Sequence, residues 1–320
     1  MKKIAILDTN TVSRGDIDFS PIDKLGCVHY HDMTSADKLI ELIGDSDALV
    51  CNKAKITREI MQNCKNLKYV GLFATGYNNI DIDAANDLGV TVCNVPGYST
   101  DSVAQLTFAM ISELATSLSQ YNASVHRGDW VNANKFSYFP YPLFELKGKT
   151  LGIFGFGTIG KTVAKIANAY GMNVIAYVRS ERPCPENVKF VSLDELFEKS
   201  DFLSLHAPLT ESTKNLVDRQ RLQMMKKSAY LINTARGGLV NEDDLTWALQ
   251  NDVIAGAAID VLDIEPMRSD SPYLGCKNII MTPHIAWASD EARARLIIEV
   301  AKNIECFFDG KPQNVVNHKN

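Results

Sequence analysis

The segment TLGIFGFGTIGKTVAKIA, residues 150–167, decides the fold of this chain of 320 residues. It opens with an apolar run typical of a strand, and Gly155, Gly157 and Gly160 follow in G-x-G-x-x-G spacing before a predicted helix that carries Val163 on its apolar face. Between a strand and a helix, this spacing is typical of a dinucleotide-binding turn. The alternative is a glycine turn in an α/β domain that binds no nucleotide.

The next strand, MNVIAYV, ends without the acid that usually accepts hydrogen bonds from an adenosine ribose. Val178, Arg179 and Ser180 stand in its place. An acid at position 178 would repel a 2′-phosphate, whereas an arginine and a hydroxyl group can bind one. We therefore predict NAD or NADP as the cofactor, with a modest preference for NADP.

Short β-branched runs alternate with helical stretches along the whole chain, which predicts parallel sheets covered by helices. The strand candidates of the first half are KKIAILD, CVHYHD, DALVCN, LKYVGLFA and VTVCNVP. Those of the second half are TLGIFGF, MNVIAYV, KFVS, DFLSLHA, AYLINTA, AGAAIDV and NIIMTPH. Ser35 and Thr57 are candidate N-caps of two helices, and Gly89 closes a third.

The pattern begins again in the middle of the chain. A long helix is predicted over 100–119, an irregular aromatic-rich segment over 127–149, and an amphipathic last helix over 289–308. We therefore predict two doubly wound α/β units, of which the second begins near Thr100.

The composition excludes several classes of protein. A net charge of −5 provides no basic surface for nucleic acid. The apolar runs are shorter than the ~20 residues of a membrane helix, and MKKIAILD is typical of a first strand rather than a signal peptide. Seven scattered cysteines indicate reduced thiols and a cytoplasmic location. We expect no metal site, because His29 and His31 have no third ligand nearby in sequence.

Three apolar segments of the second half end in polar residues. AYLINTARGG carries Arg236, GAAIDVLDIEP carries Asp260 and Glu265, and NIIMTPHIAW carries His284. Ligands of open α/β sheets bind outside the carboxyl ends of the strands, so these side chains are expected to line one crevice. Considered singly, each would be a surface or structural residue.

This set of side chains suits the reduction of a 2-oxo acid. The guanidinium of Arg236 is permanently charged, so it can bind a carboxylate and polarise a carbonyl. Hydride transfer to the carbonyl carbon leaves an alkoxide, to which His284 can donate a proton near neutral pH. Glu265 on the other ring nitrogen would orient the imidazole and favour its charged form.

The chain resembles the D-isomer-specific 2-hydroxyacid dehydrogenases over nearly its whole length, and most closely their glycerate dehydrogenase (hydroxypyruvate reductase) branch. The stretches that carry the resemblance are ATGYNNID, NVPGYSTDSVAQ, GFGTIG, HAPLTEST, NTARGGLVNEDDL, AAIDVLDIEP and TPHIAWAS. It implies NAD(P)-dependent interconversion of hydroxypyruvate or glyoxylate with D-glycerate or glycolate. It also implies the same roles for Arg236, Glu265 and His284.

The resemblance further implies which residues contact the ligands. The backbone N–H groups of Thr75 and Gly76 would bind the substrate carboxylate, and Lys53 lies where that branch has a substrate-facing lysine. The implied cofactor contacts are Val103, Gly155, Phe156, Gly157, Thr158, Ile159, Gly160, Arg179, Ser180, His206, Thr234, Ala235 and Asp260. Asp260 would lie near the nicotinamide carboxamide, and His206 would shape the cofactor cleft rather than act as the acid.

The family fold implies a Rossmann dinucleotide-binding domain, residues 100–287, inserted into a flavodoxin-like substrate domain of residues 1–99 and 288–320. Catalysis would then need the two domains to close over the ligand and exclude water. Family members usually dimerise through the dinucleotide-binding domain, which predicts a homodimer and a contact role for residues 130–144. Many members have Asp at the position of Val178, so the choice between NAD and NADP stays open.

Other functions fit part of the sequence. D-Lactate-type, branched 2-oxo acid and phosphoglycerate dehydrogenases share the chemistry, although Lys53, Ala74 and Thr75 favour a small polar substrate. A nucleotide-sensing scaffold that resembles the C-terminal binding proteins would keep the same three polar residues. L-Lactate and malate dehydrogenases have the glycine turn near the N-terminus. Short-chain dehydrogenases need a helical Tyr-x-x-x-Lys, which Gly275 disfavours within residues 273–277.

Overall fold

The structure is a computed structural model that describes residues 1–32, 35–180 and 183–317. It consists of two compact units, Met1–Ser99 with the chain from Trp287 onward, and Thr100–Ala286. Each unit has one parallel β-sheet with helices on its faces, so the predicted α/β class with two doubly wound sheets is confirmed.

The first unit is built on a five-stranded parallel sheet. Its strands are β1 Lys3–Ile6, β2 Cys27–Tyr30, β3 Ala48–Cys51, β4 Tyr69–Leu72 and β5 Thr91–Cys93. The order β2-β1-β3-β4-β5 is that of flavodoxin-like sheets. Successive side chains point to opposite faces, so Ile4 and Ile6 enter one core whereas Ala5 and Leu7 enter the other. Strands β3 and β4 are buried on both faces and are apolar, whereas the edge strand β2 is mostly exposed and contains His29.

Four helices connect these strands: α1 Ser20–Asp23, α2 Leu39–Ile43, α3 Arg58–Asn63 and α4 Ile82–Leu88. Gly89 ends α4 in the left-handed region, with φ of 67°, as predicted. Ser35 and Thr57 precede helical segments, but neither side chain makes a capping hydrogen bond. Asp81, which the sequence analysis missed, caps α4 by accepting the N–H of Ala84 at 2.8 Å.

Where one helix was predicted over 100–119, the second unit has α5 Thr100–Thr116 and the start of α6 Leu118–His126, and a third helix, α7 Asp129–Ala133, follows. The break lies at Ser117, which has φ of 48° and whose hydroxyl donates to the carbonyl of Pro142 at 2.9 Å. One residue in a left-handed conformation does not change the spacing of the apolar residues. The sequence pattern therefore predicted a helix that continues to position 119. The short helix α7 lies within the segment that was predicted to be irregular.

Seven parallel strands form the second sheet. They are β6 Thr150–Phe154, β7 Asn173–Tyr177, β8 Lys189–Phe190, β9 Phe202–Leu205, β10 Tyr230–Asn233, β11 Gly256–Ile259 and β12 Ile279–Met281, all within predicted runs. The helices between them are α8 Thr158–Ala169, α9 Leu193–Lys199, α10 Arg219–Met224 and α11 Glu242–Gln250. In the order β12-β11-β10-β9-β6-β7-β8, the strand sequence reverses between β6 and β9, where ligands of doubly wound sheets bind.

The last helix, α12 Asp290–Phe308, belongs to the first unit and matches the predicted amphipathic helix. Ser289 caps it by accepting the N–H of Ala292 at 3.2 Å. Its buried face comprises Ala292, Leu296, Ile297, Val300, Ala301 and Ile304. No helix in the described part of the chain is both long and apolar enough to cross a membrane.

Candidate functional site

Each glycine of the turn between β6 and α8 meets a different steric demand. Gly155 has φ of 94°, and a Cβ there would lie 2.6 Å from the backbone of His206 and Ala207. A Cβ on Gly160 would lie 2.4 Å from the carbonyl oxygen of Gly155. At Gly157 no atom of the described residues lies within 4 Å of the Cβ position, so this backbone faces open space. Open backbone at a helix start fits a pyrophosphate.

The residues between these glycines include a buried aromatic ring and the first residues of α8. Phe156 is 3% exposed, and its ring packs edge-on against Phe190 with 5.5 Å between centroids. Thr158 and Ile159 begin α8, and their N–H groups are among the first four of the helix, which lack an intrahelical acceptor. Together with the helix dipole, these groups favour an anion at the start of α8.

Two pockets flank the end of β7. The first, of about 150 Å³, is lined by the glycine turn together with Tyr177, Val178, Arg179 and Thr213. The second, which is more open, is lined by Val178, Arg179 and Ser180 together with residues of the α9 side, among them Glu195. Val178 and Arg179 therefore border both pockets, beside the turn. An adenosine ribose binds at this place in doubly wound sheets.

His206 follows β9 beside the glycine turn. Its N–H donates to the carbonyl of Phe154 at 2.7 Å, and its Nε2 lies 2.8 Å from the hydroxyl of the buried Ser204. Burial lowers the pKa of this imidazole from its ordinary value of 6.5 to about 4. A ring that is neutral at pH 7 is a poor proton donor. Pro208 and Thr213 also line the first pocket; the sequence analysis missed them as site residues, although HAPLTEST places them directly after β9.

Arg236, Glu265 and His284 follow three neighbouring strands. In the sheet, β10 pairs with β11 and β11 pairs with β12, all in parallel. The carboxyl ends of these strands therefore lie side by side at one edge. Arg236 lies three residues after β10 and His284 three residues after β12, whereas Glu265 lies in the longer loop after β11.

Glu265 and His284 form a hydrogen-bonded pair, with 2.6 Å between Glu265 Oε2 and His284 Nδ1. The other carboxylate oxygen, Oε1, accepts the backbone N–H of Leu262 at 3.0 Å. Because both oxygens are held, the carboxylate fixes the orientation of the imidazole. The side chain of His284 is 27% exposed and that of Glu265 is 30% exposed, so both can be reached by a small ligand.

The loop of Arg236 lies against the loop that carries Glu265. A Cβ on Gly237 would lie 1.9 Å from the carbonyl carbon of Leu262, so only glycine permits this approach. The side-chain amide of Asn233 donates to the carbonyl of Arg236 at 2.9 Å, which fixes the loop after β10. The structure thus brings the arginine-bearing loop next to the acid that orients His284.

Asp260 is 2% exposed, and both of its carboxylate oxygens accept hydrogen bonds. Oδ1 accepts the hydroxyl of Thr282 at 2.5 Å and the N–H of Ile285 at 2.9 Å, and Oδ2 accepts the N–H of Ala286 at 2.8 Å. Burial raises the pKa of this carboxyl above its ordinary value despite these bonds. The side chain therefore holds the loop that carries His284, which the sequence analysis did not foresee.

The other predicted cofactor residues of the second unit lie near the end of β10 and the start of α5. Thr234 is 7% exposed, and its hydroxyl lies 3.0 Å from that of Thr107 on α5. The N–H of Ala235 donates to Oδ1 of Asn233 at 3.1 Å. Val103 is buried on α5. The Thr107–Thr234 contact ties α5 to the end of β10.

Lys53, Thr75 and Gly76 lie in the first unit, in the loops that follow β3 and β4. These strands are parallel neighbours, so both loops lie at the carboxyl edge of the five-stranded sheet. The side chain of Lys53 is exposed. The hydroxyl of Thr75 donates to the carbonyl of Val95 at 2.7 Å, so this side chain anchors its own loop.

Comparisons with known proteins identify the family of this chain. A family model described as D-isomer specific 2-hydroxyacid dehydrogenase, NAD binding domain, matches residues 108–286. A hydroxypyruvate reductase of Blautia hydrogenotrophica is 40% identical over 98% of this chain and 99% of its own length. A glycerate dehydrogenase of Methylorubrum extorquens is 38% identical over 90% of each chain. A solved structure of an acyclic imino acid reductase in complex with NADPH and D-Arg is 32% identical, with a TM-score of 0.87, and the match covers 99% of this chain and 100% of that chain. The present chain belongs to the D-isomer specific 2-hydroxyacid dehydrogenase family.

Proposed function

We propose that this protein reduces hydroxypyruvate or glyoxylate to D-glycerate or glycolate with a reduced nicotinamide dinucleotide, and catalyses the reverse reactions. The observation that carries the proposal is the Glu265–His284 pair. Glu265 follows β11, which lies between β10, the strand that leads to Arg236, and β12, the strand that leads to His284. An oriented imidazole supplies acid/base catalysis, and the nearby arginine loop supplies carboxylate recognition. The relatives named hydroxypyruvate reductase and glycerate dehydrogenase support a small 2-oxo acid as substrate.

In the proposed reaction, Arg236 binds the substrate carboxylate and polarises its carbonyl through a fixed positive charge. A reduced nicotinamide, when bound, would supply the hydride that the carbonyl carbon accepts. As negative charge develops on the carbonyl oxygen, His284 donates a proton to it from Nε2, because its Nδ1 is engaged by Glu265. In the reverse direction the neutral imidazole takes the hydroxyl proton, and the carboxylate of Glu265 stabilises the charge that results.

The first unit is the substrate domain of this proposal, and Thr100–Ala286 is the dinucleotide-binding domain. The backbone N–H groups of Thr75 and Gly76 bind the substrate carboxylate, and Lys53 faces the substrate. Gly157 and the start of α8 would hold the cofactor pyrophosphate. Support for this assignment comes from the open backbone at Gly157 and from the exposed position of the Lys53 side chain.

The cofactor preference of this proposal leans toward NADPH. A carboxylate ~4 Å from a 2′-phosphate would cost about 4 kcal/mol per charge pair at an effective dielectric of ~20, and Val178 removes that repulsion. Arg179 borders both pockets, and Ser180 adds a hydroxyl to the second. Glu195 also lines the second pocket, but its carboxylate forms an ion pair with Lys199, which weakens its repulsion of a phosphate.

A homodimer formed through the second unit is also part of the proposal. Residues 118–143 expose an unusual number of large apolar side chains: Leu118, Val125, Trp130, Val131, Phe136, Phe139 and Leu143. Phe136 is 95% exposed and Val131 is 81% exposed. Contiguous exposed apolar surface marks protein contact sites, and symmetric dimers bury such a surface on both subunits.

A panel of 2-oxo acids assayed with NADH and with NADPH tests the proposed activity. Hydroxypyruvate and glyoxylate are expected to give higher kcat/KM values than pyruvate, branched 2-oxo acids or phosphohydroxypyruvate. A higher value for a branched or phosphorylated acid would reassign the substrate and keep the chemistry. Cofactor binding without turnover of any acid in the panel would contradict the enzyme and favour a nucleotide-sensing protein.

A further inference from the structure

Asp8 lies just beyond β1, buried to 6% exposure, with φ of 60°. Its Oδ2 accepts three consecutive backbone N–H groups, from Asn52 at 3.3 Å, Lys53 at 2.9 Å and Ala54 at 2.8 Å. Successive N–H groups that converge on one point form an anion-binding concavity. Here a carboxylate from a distant part of the sequence fills the concavity, so the loop after β3 closes around a charge.

Asn79 binds the carbonyl groups of the same loop. The side-chain amide of Asn79 donates to the carbonyl of Ala54 at 2.8 Å and to that of Asn52 at 3.4 Å. Asn79 belongs to the ATGYNNID stretch that also contains Thr75 and Gly76. The backbone around Lys53 is therefore bound by two side chains: the carboxylate of Asp8 accepts its N–H groups, and the amide of Asn79 donates to its carbonyl groups.

Asp8 is itself fixed in place. The hydroxyl of Thr11 donates to the carbonyl of Asp8 at 2.7 Å, and it accepts the side-chain amide of Asn52 at 2.8 Å. The left-handed backbone of Asp8 is one that aspartate tolerates better than most residues. These bonds connect the end of β1 to the start of the Lys53 loop through a short polar network.

We propose that Asp8 is a positioning residue for substrate binding, because its carboxylate fixes the backbone from which Lys53 extends. The ammonium group of a lysine is carried on a flexible chain of four carbons. Its position is therefore well defined only if the backbone to which the side chain is attached is rigid. Hydrogen bonds to a charged acceptor are stronger than neutral ones, and three of them converge here. This inference rests on the proposed role of Lys53 in binding the substrate.

Asp8→Asn tests the inference, because it keeps the shape of the side chain and removes the charge. A contact made equally in the ground and transition states affects KM rather than kcat. We therefore expect the KM for hydroxypyruvate to rise about tenfold, with kcat and the KM for the cofactor within about twofold. Asp47→Asn is the matched control, since Asp47 accepts the N–H of Lys3 at 2.8 Å at the opposite edge of the same sheet.

A double-mutant cycle distinguishes positioning from a general structural effect. Lys53→Met is expected to raise the KM by at least about tenfold, and adding Asp8→Asn to it should change the KM less than about twofold. If the KM effects of Asp8→Asn and Lys53→Met are additive, or if Asp8→Asn leaves the KM unchanged, the inference is overturned. An unchanged KM in Lys53→Met would instead refute the proposed role of Lys53, and the inference with it.

Thr11→Val provides the test if Asp8→Asn does not yield folded protein. It removes the hydroxyl that joins Asp8 to Asn52 and leaves the charge in place. The expected result is a smaller rise in KM, about threefold, that disappears in the Lys53→Met background. A rise of the same size in both backgrounds, or no rise, would overturn the inference.

Discussion

His284 has a backbone φ of 54°, which few residues other than glycine adopt. Asp260 shows how this conformation is maintained. Its carbonyl accepts the N–H of His284 at 2.8 Å, and its carboxylate accepts the N–H groups of Ile285 and Ala286. An unfavourable backbone conformation is retained only where several surrounding contacts fix it, and such conformations are concentrated at functional sites. The local structure therefore supports the proposed role of His284 as the acid/base.

Replacing His284 by alanine removes the proposed proton donor and leaves the glycine turn untouched. We expect kcat for hydroxypyruvate reduction to fall by roughly 10²–10⁴-fold. Cofactor affinity, measured by fluorescence titration, should stay within about twofold. His29→Ala is the control, because His29 is an exposed histidine on β2 in the first unit. Nearly full turnover in His284→Ala would remove this residue from the mechanism.

Val178→Asp restores the acid that dinucleotide sites usually have after the second strand. We expect the wild-type protein to use NADPH at least as well as NADH. The variant should shift the ratio of kcat/KM values toward NADH by about tenfold or more, equivalent to ~1.4 kcal/mol. Arg179→Ala should lower kcat/KM for NADPH and leave that for NADH nearly unchanged. A wild-type preference for NADH of more than about tenfold would contradict the proposal.

The lowered pKa of the His206 imidazole predicts a dependence of stability on pH. Its pKa is lowered to about 4 in the folded protein, so between pH 6.5 and about 4 the unfolded chain binds a proton that the folded protein does not. Stability from this group is therefore complete above pH 6.5 and is lost as the pH falls toward 4. His206→Gln should flatten this dependence, measured as urea midpoints at pH 7 and pH 5. Equal pH dependence in both proteins would show that burial of His206 has no such effect.

At the scale of elements, the glycine turn and α8 form one steric unit. Gly160 on the first turn of α8 approaches the carbonyl of Gly155 too closely for any side chain. Further along the helix, Val163, Ala164 and Ala167 are buried in the core of the second unit. The packing of the helix therefore determines where its N-terminal N–H groups point. The geometry of the anion site depends on this packing as well as on the glycines.

Gly155→Ala is expected to disrupt this element through two separate effects. Left-handed backbone costs an alanine roughly 1–2 kcal/mol, and contact with the His206 backbone adds roughly 1–3 kcal/mol. Gly148→Ala is the control, because Gly148 also has a positive φ, of 77°, with no atom of the described residues within 4 Å of a Cβ. Urea unfolding and cofactor titration should show a larger loss of stability, and weaker cofactor binding, in Gly155→Ala alone. Equal effects in both variants would mean that the cost comes from the positive φ, and that the contact with the His206 backbone contributes nothing.

At the scale of the whole molecule, the exposed apolar side chains of residues 118–143 predict association. The double variant Val131→Glu/Phe136→Glu places two charges in this surface and should convert a dimer into a monomer at micromolar concentration. Sedimentation velocity measures the change. Ile298→Glu is the control, because Ile298 is a 56% exposed apolar residue on α12, outside this surface. A monomeric wild type, or a dimer that the double variant preserves, would contradict the proposed homodimer.

Much of the fold follows from the sequence because it is encoded locally. Strands buried on both faces must be apolar, so runs such as ALVC at 48–51 and YVGL at 69–72 are recognisable without any partner. Strand–glycine–helix order around Gly155 is likewise a local property. The break at Ser117 was not predicted, because its left-handed backbone changes one residue and leaves the apolar periodicity unaltered.

The sequence by itself determined the α/β class, the strands in their order, the glycine turn, and Arg236, Glu265 and His284 as candidates whose roles stay predictions. Only the tertiary structure decided which groups Asp8 and Asp260 bind. Asp8 binds the Lys53 loop, and Asp260 binds the His284 loop. The physical reason is that a carboxylate bonds whichever N–H groups the strand order brings to its edge of the sheet. That order is set by packing between distant segments, which local sequence patterns do not encode.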